Sequence, residues 1–153
     1  MLELGSGTGL VGIVAACLGA HVQLTDLPDA MPLLQLNISL NQHLLGASGG
    51  SMSCAMLDWQ TSSCLGKRSW DIVIGSDLVY NAAAVPLLTG ALQRLKHSEH
   101  SWSLLLSHKH RTDAVDWCML EAMSDCGLRL APLAEGRGEA RNLSIYQHNW
   151  KVH

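Results

Sequence analysis

Charge is scarce in this 153-residue chain: charged side chains make up 15% of it, against 48% hydrophobic. That balance excludes an intrinsically disordered chain and points to a well-buried α/β interior. The 10 lysines and arginines are scattered and the formal net charge is -3. No basic stripe is available for a phosphate backbone, so no nucleic acid partner is expected. Long apolar runs are missing too. The stretch from Leu10 to Ala20 is too short, and too rich in glycine and alanine, to span a bilayer. It also lacks the basic start and cleavage site of a signal peptide, and no membrane partner is expected. The five cysteines (Cys17, Cys54, Cys64, Cys118 and Cys126) form no CxxC pair and follow no regular spacing. This excludes a disulfide framework and reads as reduced thiols in a cytoplasmic protein, with the nucleus as a second location. Histidine is plentiful, but neither His97 with His100 nor His108 with His110 brings a third ligand nearby, so no metal site is expected. The length suits one domain, 1–153, with one core and no internal repeat, and a monomer is expected.

What is present alternates. An apolar start, Met1 to Leu4, runs into glycines and then a helical stretch from about Leu10 to Leu18. A strand from His21 to Thr25 ends at Asp26, and a second helix is expected from Asp29 to about His43. Leu33, Leu36, Leu40 and Leu44 give that helix one stripe at spacings of three and four, and Pro32 is tolerable in its first turn. Ser53 to Leu57 and Ile72 to Ile74 read as strands. A helix from Ala83 to Leu95 carries Val85, Leu88, Leu92 and Leu95 on one face. Trp102 to Leu106 is the next strand, and Thr112 or Asp113 caps a helix that ends at Gly127. Leu128 to Leu133 and Asn142 to Tyr146, joined by the Gly136-Arg137-Gly138 turn, form a closing hairpin. The expected fold is α/β: a Rossmann-like doubly wound sheet, mostly parallel, with a C-terminal antiparallel hairpin.

A strand that enters a glycine-rich turn and then opens a helix suits a nucleotide-like ligand. Glycine lets backbone approach the ligand, and the helix N-terminus offers free N–H groups. The loop Glu3-Leu4-Gly5-Ser6-Gly7-Thr8-Gly9 satisfies two fingerprints at once. Gly5-x-Gly7-x-Gly9 is a methyltransferase pattern. Gly7-Thr8-Gly9-Leu10-Val11-Gly12 is also a literal G-x-G-x-x-G, with Asp26 about 20 residues on for a ribose hydroxyl. The flanking residues separate the two. Glu3, at the end of the first strand, suits the cationic amino group of a methionine moiety, which a dinucleotide lacks. Asp58-Trp59 closes the third strand with an acceptor for an adenine amino group and an indole to cover the ring. The strand Asp71-Ile-Val-Ile-Gly-Ser then delivers Asp77-Leu78-Val79-Tyr80 to the carboxyl edge of the sheet, where ligand sites of open α/β sheets lie.

The set ELGSGTGLVGI, LTDLP, LDW and DIVIGSDLVY resembles the seven-β-strand, S-adenosylmethionine-dependent protein methyltransferases of family 16, the lysine methyltransferase-like group. The resemblance runs through nearly the whole chain in motif order, and its Asp-x-x-Tyr element is the most specific part. It implies S-adenosyl-L-methionine as cofactor and a protein substrate, such as a chaperone or a translation elongation factor, methylated on lysine. By the same resemblance, Glu3, Gly5 and Gly7 line the methionine end of the cofactor. Asp26 holds the ribose, Asp58 and Trp59 the adenine, and Ser76 the floor beside the sulfonium. Asp77 and Tyr80 face the substrate, Asp77 to bind and orient the amine and Tyr80 to shape its channel. The first strand begins only four residues before Gly5, so an N-terminal portion of the domain is expected to be missing.

Blander readings accompany these. Asp77 also suits the cap of a helix beginning near Ala82 to Ala84, and Trp59 and Tyr80 suit ordinary packing. His108, Lys109, His110 and Arg111 form a polar patch after the fifth strand, with contact to substrate as one reading and a solvated loop as the blander one. An NAD-dependent oxidoreductase fits the loop and Asp26 but lacks a Tyr-x-x-x-Lys, and a degenerate, non-enzymatic cofactor-binding or interaction module fits the early start.

Overall fold

The computed structural model describes residues 1–46, 48–61, 69–96, 101–136 and 142–151; Cys64, His97, His100 and the Arg137-Gly138 part of the expected turn lie outside them. Strands β1 (Leu2–Leu4), β2 (His21–Asp26), β3 (Ser51–Met56), β4 (Ile72–Ser76), β5 (Trp102–Lys109), β6 (Ala131–Glu135) and β7 (Leu143–Trp150) are interspersed with four α-helices. The helices are α1 (Leu10–Cys17), α2 (Met31–Asn41), α3 (Ala84–Lys96) and α4 (Asp113–Asp125). The seven strands form one sheet in the order β3-β2-β1-β4-β5-β7-β6. The order reverses direction between β1 and β4, the switch point at which open α/β sheets hold ligands. Among the described residues no helix is long and apolar enough to cross a membrane.

The chain divides into two compact units, Met1–Asp58 with Val73–Ser76, and Trp59–Ile72 with Asp77–His153. In the first unit β1 pairs in parallel with both β2 and β4, and β2 with β3. All three residues of β1 are buried, as a strand flanked on both sides requires. The core beside them is Ile13 and Ala16 of α1, Val22 and Leu24 of β2, and Met31, Leu34 and Ile38 of α2.

That core corrects the expected face of α2. Leu34 is 0% exposed, whereas Leu36 is 55% exposed and Leu33, Leu40 and Leu44 are exposed with it. The α-helix also begins at Met31 and ends at Asn41, with 3-10 turns at Pro28–Ala30 and Gln42–Leu45 on either side. Two apolar stripes run along this helix. Met31, Leu34 and Ile38, at spacings of three and four, are the ones the sheet covers.

In the second unit α3 buries Val85, Leu88, Leu92 and Leu95, the face its spacing predicts. Helix α4 is capped by Thr112, whose hydroxyl accepts from the Val115 N–H at 3.3 Å. It ends in a Schellman turn: Leu128 N–H donates to Met123 C=O at 2.8 Å and Gly127 N–H to Ser124 C=O at 2.8 Å. Gly127 sits at φ 73°, the left-handed conformation that such a turn demands at this position. Strand β7 lies antiparallel to both β5 and β6. Its ladder with β5 runs from Trp102 opposite Trp150 to Lys109 opposite Leu143, which carries both strands beyond the ends expected from their apolar runs. Pro132 is accommodated because β6 is an edge strand.

Candidate functional site

The glycine loop is built from β1, the first turn of α1 and the end of β2, all within the first unit. Ser6 N–H donates to Thr25 C=O at 2.9 Å and Thr25 N–H returns to Ser6 Oγ at 3.0 Å. Thr25 Oγ1 donates to Glu3 C=O at 2.6 Å. These bonds fasten the loop to the neighbouring strand on both sides of Gly5. Gly7 takes φ 53° and has nothing within 4 Å of the position where a side chain would begin, so the loop opens onto free space there. Its N–H donates to Asp26 Oδ2 at 2.6 Å, while Asp26 Oδ1 accepts from Leu27 N–H at 2.7 Å.

Glu3 lies beneath the loop, 3% exposed. Its Oε1 accepts from the Gly12 N–H at 3.2 Å, and its Oε2 is buried without a hydrogen-bond partner. Burial pushes its carboxyl above the ordinary value, against the downward pull of the Ser6 hydroxyl and the Gly12 N–H; the charge of Asp26 adds to the rise. A side chain at position 12 would run into Glu3 and Leu24, so glycine there permits the close approach of α1 to β1. Leu57 N–H donates to Asp26 C=O at 2.9 Å, which brings the half-buried Asp58 to the carboxyl end of β2 and β3. Ser76 is exposed at the last position of β4.

Asp77 opens the corresponding stretch of the second unit. It alone among the described non-glycine residues has positive φ, at 56°. A left-handed aspartate is tolerated but strained, and such residues concentrate at functional positions. Its N–H donates to Ser107 C=O of β5 at 2.8 Å, and its Oδ2 accepts from Arg111 Nη2 at 2.6 Å. The cap of α3 is Asn81, whose Oδ1 accepts from Ala84 N–H at 3.1 Å; Asp77 is therefore free of that duty. Leu78 and Val79 are buried and Tyr80 is 67% exposed. Trp59 is half-buried, and its C=O accepts from Arg94.

His108 and Lys109 belong to β5, a correction to their reading as part of a solvated loop, while His110 and Arg111 are exposed beyond the strand. His108 is 2% exposed. Its Nε2 lies 2.9 Å from Asp116 Oδ1, and His110 Nδ1 lies 2.5 Å from Asp116 Oδ2. The polar patch was read from the sequence, but the pairing of Arg111 with Asp77 and of Asp116 with the two histidines was not, because the partners are distant in sequence or buried. The only signal was an acid in the first turn of a helix that follows a histidine pair. Among the described residues no three side chains converge as metal ligands.

Of the residues expected at a cofactor, Glu3, Gly5, Gly7 and Asp26 thus share one hydrogen-bonded loop, and Asp58 and Ser76 lie at strand ends of the same unit. S-adenosylmethionine presents an ammonium, ribose hydroxyls and an adenine amino group, all donors, and the carboxylates of Glu3, Asp26 and Asp58 in this unit are acceptors. The group fits the residues present.

A seven-stranded sheet in this order with a glycine loop after β1 and an Asp-x-x-Tyr after β4 defines a class I methyltransferase. A family model described as lysine methyltransferase matches residues 1–124, and the chain belongs to that family. It is 39% identical over 113 residues to EEF1A lysine methyltransferase 3 of Xenopus tropicalis, covering 74% of this chain and 48% of that protein. It is 36% identical over 123 residues to protein N-lysine methyltransferase METTL21A of the same species, covering 80% of this chain and 54% of that protein. The chain spans about half the length, or less, of the curated relatives it matches. Among solved structures, a methyltransferase from Methanosarcina mazei superposes with a TM-score of 0.72 at 14% identity, covering 99% of this chain and 92% of that one. An O-methyltransferase family protein from Burkholderia thailandensis gives a TM-score of 0.73 at 14% identity, covering 99% of this chain and 50% of that one. These last two share the fold.

Proposed function

We propose that this chain carries the S-adenosylmethionine-binding domain of a protein-lysine methyltransferase, acting on a lysine of a translation elongation factor. The observation that carries the reading is Glu3: a buried carboxylate oxygen without a partner, beneath a glycine loop that opens onto free space at Gly7. A buried acceptor left unmatched is costly, and a ligand ammonium would satisfy it. The substrate class follows from family membership and from the name of the relative that is 39% identical.

When bound, S-adenosylmethionine supplies an electrophilic methyl carbon on a sulfonium. The chain's part is to bind and orient. Glu3 takes the ammonium of the methionine end, with Gly5 and Gly7 giving the backbone room to approach. Asp26 holds the ribose hydroxyls while bracing the loop through Gly7. Asp58 accepts from the adenine amino group, Trp59 covers the ring, and Ser76 lies beside the sulfonium. Asp77 accepts from the substrate amine and aims its lone pair, and Tyr80 shapes the channel.

Lysine has a reference pKa of about 10.4, so freeing its lone pair at pH 7 costs roughly 4.6 kcal/mol, from about 3.4 units at 1.36 each. Near-attack positioning is worth about 7–11 kcal/mol and outweighs that cost. A bare carboxylate beside the amine would favour the charged form. Asp77 is accordingly assigned to orientation, and water takes the proton.

Calorimetric titration with S-adenosylmethionine and with NAD tests the cofactor, and labelled methyl transfer to unmethylated EEF1A by the full-length protein tests the substrate. Saturable binding of S-adenosylmethionine with label on lysine is expected. Binding of NAD alone would overturn the cofactor assignment. Binding of neither would point to a non-enzymatic module, and label on histidine would move the nucleophile.

A further inference from the structure

One polar network of the second unit takes no part in cofactor or substrate binding as proposed. Asp116, in the first turn of α4, gathers His108 and His110 on one carboxylate. Its position suits this. The first turn of a helix favours a negative charge, because the free N–H groups there carry partial positive charge. Thr112 caps the same turn, so the carboxylate is mounted on a fixed base. His108 is pinned from the other side as well, since it belongs to β5 and pairs with Ser144 of β7. The last ordered strand residues and the segment up to Arg111 are thereby tied to one point.

From that segment the Arg111 guanidinium reaches back to Asp77 Oδ2 at 2.6 Å. Asp77 itself leaves β4 in the left-handed conformation, with its N–H on Ser107 C=O. Two of its three restraints thus come from β5 and the segment that Asp116 organises. We infer that Asp116 is a positioning residue for Asp77, acting through Arg111. The carboxylate fixes the 108–111 segment, and the guanidinium on that segment fixes the carboxylate that meets the substrate amine. Arg111 also bears on the charge problem. A guanidinium on Oδ2 offsets the negative charge that would otherwise hold the amine protonated, while Oδ1 stays available as an acceptor. This inference rests on the assignment of Asp77 to the substrate amine.

The test combines a readout that needs no substrate with one that does, both on the full-length protein. The Nε–H signal of Arg111, identified by its loss in Arg111→Lys, reports the guanidinium's partner by nuclear magnetic resonance. It is expected to shift in Asp77→Asn and also in Asp116→Asn. Methyl transfer to unmethylated EEF1A is expected to lose roughly tenfold or more in kcat/KM in Asp116→Asn, the scale of a lost charge-assisted hydrogen bond. Binding of S-adenosylmethionine should stay within about twofold, because the cofactor acids lie on other elements. In an Asp77→Asn background, Asp116→Asn should add little, since its effect passes through Asp77; a residue that merely stabilises the fold would add its full cost. Arg111→Gln severs the same link at an exposed position and must reproduce the loss if Asp116→Asn fails to fold. An Arg111 signal unmoved in Asp116→Asn, or full additivity with Asp77→Asn, or normal kcat/KM in Arg111→Gln overturns the inference. A wild-type protein that transfers no methyl to lysine, with the Arg111 signal still responding to Asp116→Asn, supports the structural link and sinks the lysine reading instead.

Discussion

Glu3 and Gly12 are joined across the base of the glycine loop: the Gly12 N–H donates to Glu3 Oε1 at 3.2 Å, and the second carboxylate oxygen is left buried without a partner. Burial raises the Glu3 carboxyl above its ordinary value. For an acid raised on folding, the folded state holds its proton to higher pH than the unfolded chain does. Stability attributable to Glu3 therefore falls as pH rises from about 4.5 through the folded value, and the full penalty applies above it. Glu3→Gln removes this titration. Its melting temperature relative to the wild type should rise between pH 4 and pH 7, while its affinity for S-adenosylmethionine drops about tenfold through loss of a charge-assisted bond. Parallel melting curves across that range would contradict the assignment of a raised, unpartnered carboxyl.

Asp26 has two obligations, since its Oδ2 braces Gly7 and its Oδ1 accepts from Leu27 N–H. Asp26→Ala should release the loop and remove the ribose acceptor together. A hydrogen bond to a charged group is worth about 1.5–3 kcal/mol, so cofactor affinity should fall at least roughly tenfold. Asp26→Asn keeps an oxygen for Gly7 but loses the charge, and it should fall between wild type and Asp26→Ala. Isothermal titration of the three proteins decides this, and equal affinities would detach Asp26 from the cofactor.

Helix α2 shows where the sequence ran out. Met31, Leu34 and Ile38 satisfy helical spacing as well as Leu33, Leu36 and Leu40 do, and a helix apolar on more than one side gives no internal reason to prefer either stripe. The choice is made by Leu24 and Ile13, which meet Leu34 around Gly9, and that contact is tertiary. Leu34→Ala should cost about 2–5 kcal/mol, as large-to-small changes in a packed core do. Leu36→Ala should stay within about 0.5 kcal/mol. Urea denaturation of both variants, with comparable costs, would put the buried face back on the leucine stripe.

The site was legible to the extent that it is local. Gly5, Gly7, Gly9 and Gly12 sit within eight residues, and their order announces a turn that opens a helix. Asp26 was readable because it ends a short strand at a known distance. The pairing of Arg111 with Asp77 was not, because the two lie 34 residues apart and only the β4 and β5 exits bring them together. Nor did His108 show itself as buried: the burial alternation of β5, with Trp102, Leu104, Leu106 and His108 inward, extends past the apolar run that marked the strand. Asn81 took the cap that had been an alternative task for Asp77 because its spacing to Ala84 is the right one.

The histidines around Asp116 predict a pH response. The hydrogen bond to Asp116 and the charge of that carboxylate raise His110 above its ordinary value of 6.5. Burial alone would lift Asp116; the bonds from His108 and His110, the His108 charge and the Arg111 N–H outweigh it and hold Asp116 below 3.8. For His110, raised on folding, the stabilising contribution is fully present below pH 6.5 and is lost as pH rises through the folded value. For Asp116, depressed on folding, it is present above 3.8 and is lost as pH falls through the folded value. The network is therefore strongest between those limits and loosens toward alkaline pH. Following the His110 ring signal by nuclear magnetic resonance should give a midpoint above 6.5 in the wild type and a lower one in Asp116→Asn. If the two midpoints coincide, the ion pair does not form in solution, and the tie between the 108–111 segment and α4 loses its charge.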